Sequence, residues 1–177
     1  MNALSYLSER LQWLPTALFA GVLLSMADVT PASADDVSTA LSVRLLDLGG
    51  KVHQLAEWKG QLVLVNYWAT WCVPCLKEIP ELDAFSVAQS KRKLGIHVVG
   101  VALDEPDAVR TFLKRGVTYP VLVESAQPGE GSSALLGNKQ GVLPYSVLLD
   151  AQGRVLRTKF GSVTAADLTA WAKQPQP

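Results

Sequence analysis

The run QLVLVNYW, residues 61–68, is apolar at almost every position and carries no helical period. A strand that is apolar on alternate residues can leave one face in water, whereas one apolar on both faces has to be covered on both. A second run of the same kind, IHVVGVAL, follows at residues 96–103. Two such strands in one chain require a sheet sandwiched between helices, which rules out a helical bundle or a sheet with one wet face.

The rest of the chain supplies those layers. LSVRLLD (41–47) alternates enough to read as a first strand, and Gly49-Gly50 supplies a turn after it. From Val73 to about Ser90, Leu76, Ile79, Leu82, Ala84, Phe85 and Ala88 recur at spacings of three and four, the pattern of an amphipathic helix. Pro80 lies within it, removes one amide donor and is expected to kink it. Glu105-Pro106-Asp107 opens another helix with acid and proline in its first turn, ending near Gly116. YPVLVE (119–124) reads as a short strand and PGEGSSALLGNKQG (128–141) as a loop with a single helical turn. YSVLLD-AQG-RVLRTKF (145–160) reads as a hairpin turning at Asp150 to Gly153. Thr164, three residues ahead of Asp167, caps a last helix running to about Lys173. The expectation is an α/β fold with a mixed central sheet and helices on both faces.

At 177 residues, 49 % apolar and 18 % charged, the chain has the size and composition of one globular domain. Its formal net charge is zero, and it has no basic patch interleaved with aromatics, so no footprint for nucleic acid is present. The densest positive run, Lys91-Arg92-Lys93, falls at the end of the long helix, where cations complement the dipole. Residues 1–34 are set apart from the domain at 35–177. Leu11 to Ala27 is an apolar run preceded by Arg10 and followed by a polar segment ending in Ala32-Ser33-Ala34. This order describes either a signal peptide cut after Ala34 or a retained membrane anchor at 11–27, although Pro15 and Gly21 weaken a long spanning helix. Under both readings residue 35 onward faces an oxidising compartment, the periplasm in a cell with two membranes.

Both cysteines of the chain, Cys72 and Cys75, lie in the stretch WATWCVPCLKE directly after the apolar strand. A tetrahedral metal site needs three or four ligands, and beyond the cysteines the chain offers only His53 and His97, a poor zinc signature. A copper carrier using the same two thiols is the metal reading that remains. An inert structural disulfide gains little, because the entropy removed from the unfolded chain grows with the logarithm of loop length and this loop is minimal. Placement favours redox chemistry. At the N-terminus of a helix, unsatisfied amides and the positive end of the dipole stabilise a thiolate, which is the attacking species. On this spacing Cys72, flanked by Trp71, is the exposed nucleophile. Cys75, one turn deeper, is the resolving thiol, and Pro74 restricts the loop between them.

Strand, WCVPC, and a helix with proline five residues past the second cysteine resemble the thioredoxin fold, and more closely its exported TlpA/ResA-type branch. LVNYWATWCVPCLKEIPEL looks like that family's active-site segment, and GVLPYSVLLDAQGRV like its cis-proline loop and closing hairpin. Together they extend the resemblance over nearly all of residues 41–173. The resemblance implies a thiol-disulfide oxidoreductase whose working group is the Cys72–Cys75 disulfide, with no further cofactor. It implies a cis bond before Pro144 with that loop packed on the cysteines, a functional acid at Glu78, and client contacts from Trp71, Pro74, Leu143 and Pro144. The sequence departs from many relatives at Leu143, where a polar or β-branched residue is frequent. The implied task is reduction of client disulfides, in apocytochromes awaiting haem or in copper-site proteins, with electrons from a membrane-borne donor. Disulfide introduction is the rival direction. Peroxidase chemistry of the peroxiredoxin type fails on its Thr-x-x-Cys pattern, since position 69 is Ala69.

Overall fold

The computed structural model describes residues 32–92 and 95–173. Apart from residues 32–34, the expected leader or anchor at 1–34 lies outside the described residues. Among the described residues, no helix is long and apolar enough to cross a membrane.

Seven strands form one sheet: β1 (Leu45–Asp47), β2 (Val52–His53), β3 (Leu62–Trp68), β4 (Ile96–Ala102), β5 (Val121–Val123), β6 (Tyr145–Leu149) and β7 (Val155–Phe160), in the order β2-β1-β5-β4-β3-β6-β7. β3, β4 and β5 run parallel, and the remaining neighbours pair antiparallel. Among the described residues five α-helices cover it: α1 (Ala34–Ser42), α2 (Val73–Ser90), α3 (Pro106–Phe112), α4 (Gly131–Leu135) and α5 (Ala165–Lys173).

The two apolar runs behave as their composition requires. Along β3 side chains alternate between faces. Val63, Val65 and Tyr67 join the core under α1 and α4, while Leu64 and Trp68 join the cores under α2, α3 and α5. The crossovers β3-α2-β4 and β4-α3-β5 step the same way across the sheet, and crossovers of one hand then leave both helices on one face. The mixed sheet with helices on both faces is therefore as expected. The last helix is capped as Thr-x-x-Asp suggested: Asp167 donates its N–H to Thr164 Oγ1, and Thr164 donates its N–H to the Asp167 carboxylate at 2.8 Å.

Two local expectations need correction. Leu41 and Ser42 do not belong to the first strand; they close α1, and β1 spans only Leu45–Asp47. The alternation in LSVRLLD concealed that Ala40 and Leu41 are the apolar face of a helix seated on the sheet, capped at its start by Ser33 accepting the Asp36 N–H. α2 runs as one helix from Val73 to Ser90 through Pro80. Pro80, expected to kink the helix, lies on its exposed side. The strand expected at 119–124 is shorter, Val121–Val123, although Glu124 still donates its N–H to the Ala102 carbonyl while its carboxylate bonds Ser132 of α4.

Leu148 sits fully buried in central strand β6. Leu148→Ala is expected to cost about 2–5 kcal/mol, the usual range for a buried leucine truncated without collapse of the site, read as a lowered midpoint in urea unfolding.

Candidate active site

β3 ends at Trp68, and four residues later Cys72 stands at the N-cap of α2 with extended backbone (φ −88°, ψ 96°). Pro74 occupies the first turn, where a missing N–H costs nothing because that amide has no acceptor within the helix. Cys72 and Cys75 form a disulfide with their Cα atoms 5.3 Å apart. Cys75 is completely buried and Cys72 keeps 5 % of its surface, so the order of exposure is as expected but Cys72 is far less open than an exposed nucleophile. Its neighbours are the exposed groups: Trp71 and Val73 each at 61 %, with Pro74 beside them. Trp68 points the other way, into the core that holds both cysteines, with its ring 5.6 Å from that of Phe112.

The loop between strand and helix is held from β4. Thr70 donates its backbone N–H and its hydroxyl to Asp104 Oδ2, and Glu105 donates its N–H to Asp104 Oδ1. Burial pushes the Asp104 carboxyl up, but these three donors outweigh it and hold the group below the usual carboxylate range. Asp104 is thus an ionised clamp on Thr70, two residues ahead of Cys72.

Glu78, one turn beyond Cys75, is 2 % exposed. It is not a solvated helix charge. Asn66 of β3 donates Nδ2–H to Glu78 Oε1 at 2.8 Å, and the Val163 N–H, ahead of α5, is donated to Oε2 at 2.7 Å. Asn66 Nδ2 also donates to Ser146 Oγ at 3.0 Å, its cross-strand partner on β6. Loss of hydration raises the Glu78 pKa to about 7, and the two donors moderate the rise.

The Leu143–Pro144 bond is cis. Pro144 is buried, and Leu143 packs against the core that contains Cys72 and Cys75 as well as the core on the opposite face. The loop reaches this position through Asn138, fully buried, which donates Nδ2–H to the Val142 carbonyl and accepts the Val142 N–H at Oδ1, each at 3.0 Å. Tyr145 anchors the other side by donating its hydroxyl to the Leu136 carbonyl at 2.7 Å.

All seven residues singled out in the sequence lie in the α2 N-terminal region or the cis-proline loop, and Leu143 joins the two. The supporting residues Asn66, Ser146, Asp104, Asn138 and Val163 were not identified there. Asn66, an amide inside an otherwise apolar strand, carried a legible signal, since a buried polar side chain requires a partner. The others become visible only once chain segments meet. His53 and His97 are far from this arrangement in role: His53 bonds Glu57 and Asp47, and His97 is exposed on β4. Among the described residues no three or more His, Cys, Asp or Glu come together to hold a metal.

A disulfide seated at the start of a helix, behind a buried strand and beside a cis-proline loop, defines a thiol-disulfide oxidoreductase of thioredoxin-like fold. The Redoxin family model matches residues 32–170, and the chain belongs to that family. It is similar to the thiol-disulfide oxidoreductase ResA of Bacillus anthracis, 32 % identical over 133 residues, which cover 74 % of this chain and 73 % of the relative. Among solved structures it is similar to a thioredoxin-related protein from Neisseria meningitidis serogroup B (32 % identity, TM-score 0.63, 73 % of this chain and 96 % of that one). It is also similar to a putative thiol:disulfide interchange protein DsbE from Chlorobium tepidum (29 % identity, TM-score 0.58, 74 % and 88 %).

The Glu78 environment has a consequence for stability. In the unfolded chain its carboxyl loses its proton near its ordinary value of 4.5, in the folded chain near 7, so between these limits the folded state binds more protons and stability falls as pH rises. Glu78→Gln removes this loss. Relative to the parent, the variant is expected to gain up to about 3 kcal/mol as pH passes from below 4.5 to above 7, measured by urea unfolding across that range.

Proposed function

We propose that this chain works outside the cytoplasm, after cleavage or while still anchored through residues 11–27, as a reductant of client-protein disulfides supplied with electrons by a membrane-borne donor. The reading rests on one observation above others: a disulfide with a sliver of surface on Cys72 and none on Cys75, rimmed by exposed Trp71, Val73 and Pro74. That asymmetry supports an order of events. In the dithiol form the Cys72 thiolate, stabilised at the helix N-terminus, attacks one client sulfur; the client disulfide breaks and one client thiolate leaves. Cys75 then gives its proton to Glu78 and attacks Cys72; the mixed disulfide breaks, and the client departs with both sulfurs reduced while Cys72–Cys75 is oxidised. Trp71, Pro74 and Leu143 form the surface on which the client cysteine docks, with apolar area from Trp71 and Leu143 and with the buried Pro144 fixing the loop beneath it.

The reductive direction, and clients of the cytochrome-maturation or copper-assembly kind, follow from the TlpA/ResA-type resemblance. Each 30 mV of reduction potential is about 1.4 kcal/mol of preference between dithiol and disulfide, so equilibration with glutathione or thioredoxin standards tests the direction. A value nearer that of thioredoxin (about −270 mV) than that of DsbA (about −120 mV) is expected; the reverse makes the chain an oxidant.

Roles are tested in the same assay. Cys72→Ser is expected to abolish turnover, and Cys75→Ser to accumulate mixed disulfides that identify the client. Full disulfide-reducing activity in Cys75→Ser would overturn the assignment. Glu78→Gln is expected to slow the resolving step and flatten its pH dependence around pH 7, followed by single-turnover reduction with thiolate absorbance.

A further inference from the structure

Asn66 is completely buried, and its Nδ2 makes two bonds, to Glu78 Oε1 and to Ser146 Oγ, while its Oδ1 has no partner among the described residues. Leaving a buried acceptor idle is costly, and such atoms are rare in native cores. The arrangement suits only one state of its neighbour. Facing a carboxylate, Asn66 donates; facing a carboxylic acid, the same Nδ2–H would meet an O–H. The other oxygen of Glu78 cannot adapt, because Val163 presents a backbone N–H there, a donor that does not reverse.

We propose that Asn66 and Ser146 form an invertible hydrogen-bond pair that serves both protonation states of Glu78, the Asn66 amide turning over when Glu78 gains its proton. In the turned state Oδ1 accepts from the Glu78 O–H, and the Ser146 hydroxyl, which accepted from Nδ2, rotates to donate to Oδ1. Two bonds are present before and two after, and one amide atom is idle in each state. The pair therefore imposes no strong preference on Glu78, which is the property needed of a group that takes the Cys75 proton and later gives it up. Asn66 is a positioning residue, acting on the chemistry through Glu78, and the inference rests on the acid–base role given to Glu78 above.

The charges around the site are few. From α2, Glu81 raises the Glu78 pKa, and the disulfide-bonded cysteines do not titrate. From β7, Lys159 lowers it, although Lys159 is paired with Asp167 of α5. Tyr119, ahead of β5, senses Glu78 and stays protonated throughout the neutral range. None of these is hydrogen-bonded to Glu78 among the described residues, whereas the Asn66 amide already is and can turn its oxygen to a protonated Glu78.

The test is nitrogen-15 NMR of the Asn66 side-chain NH2 in the disulfide form of the full chain, titrated between about pH 5 and about pH 9. Its shifts and proton contacts are expected to change with the midpoint of the Glu78 carboxyl, followed by carbon-13 in the same sample. In Glu78→Gln the side-chain oxygen must accept from Val163, so its NH2 faces Asn66, and Asn66 should show the acid-form signals at every pH. Asn66→Leu is expected to move the Glu78 midpoint by less than about one unit, since the donor to the carboxylate and the acceptor for the acid are lost together; a larger rise would mark Asn66 as a fixed donor and overturn the pair. An Asn66 NH2 that does not respond to the Glu78 titration, or that keeps its basic-form signals in Glu78→Gln, overturns the pair; both measurements are made on chains with Asn66 in place. These are equilibrium readouts on the disulfide form. If Glu78→Gln resolves clients at the parent rate, the catalytic role of Glu78 falls while the hydrogen-bond pair is still judged by NMR.

Discussion

A carboxyl group held inside the core between helix and sheet organises this molecule. Glu78 reaches from α2 to β3 through Asn66, to β6 through the Asn66–Ser146 bond, and to the segment before α5 through Val163. A carboxyl out of water must be bonded or must take a proton, and Glu78 meets both terms, with two donors and a pKa near 7. The cost of burial is what makes the group useful. An exposed glutamate would remain ionised through neutral pH and could not take up and release a proton there.

The disulfide depends on the same frame. α2 is held in its second turn by the Glu78 bonds and just ahead of its start by the loop that Asp104 grips through Thr70, so Cys72 is set at the helix start from two sides. On the facing side Asn138 shapes the loop before Pro144 by bonding both backbone groups of Val142, and Leu143 is delivered onto the core around the cysteines. Each clamp is one polar side chain satisfying backbone groups, in a distant segment for Asp104 and Glu78 and within its own loop for Asn138. Removing the contact therefore strands buried donors and acceptors as well as freeing the loop.

Much of this was legible beforehand. The strands β3 and β4, the long α2, the β6–β7 hairpin and the cap at Thr164 follow from period, turn chemistry and capping, all local properties. The cysteine pair was legible because a strand-to-helix junction places it among free amides. Misreadings arose where local pattern and tertiary role diverge. Leu41 looked like part of a strand because alternation over a few residues does not separate a short strand from the apolar face of a short helix.

What the sequence determined by itself is the layered α/β fold and the chemistry at Cys72 and Cys75, since apolar period and residue spacing act within a few turns of chain. What the tertiary structure alone decided is the environment of those groups: that Cys72 is nearly closed to solvent, that Glu78 is buried rather than solvated, and that Asn66, Ser146, Asp104 and Asn138 support the site. Burial and hydrogen-bond partners arise between residues such as Asn66 and Ser146, eighty positions apart, and no local pattern in the chain records which distant segments will meet.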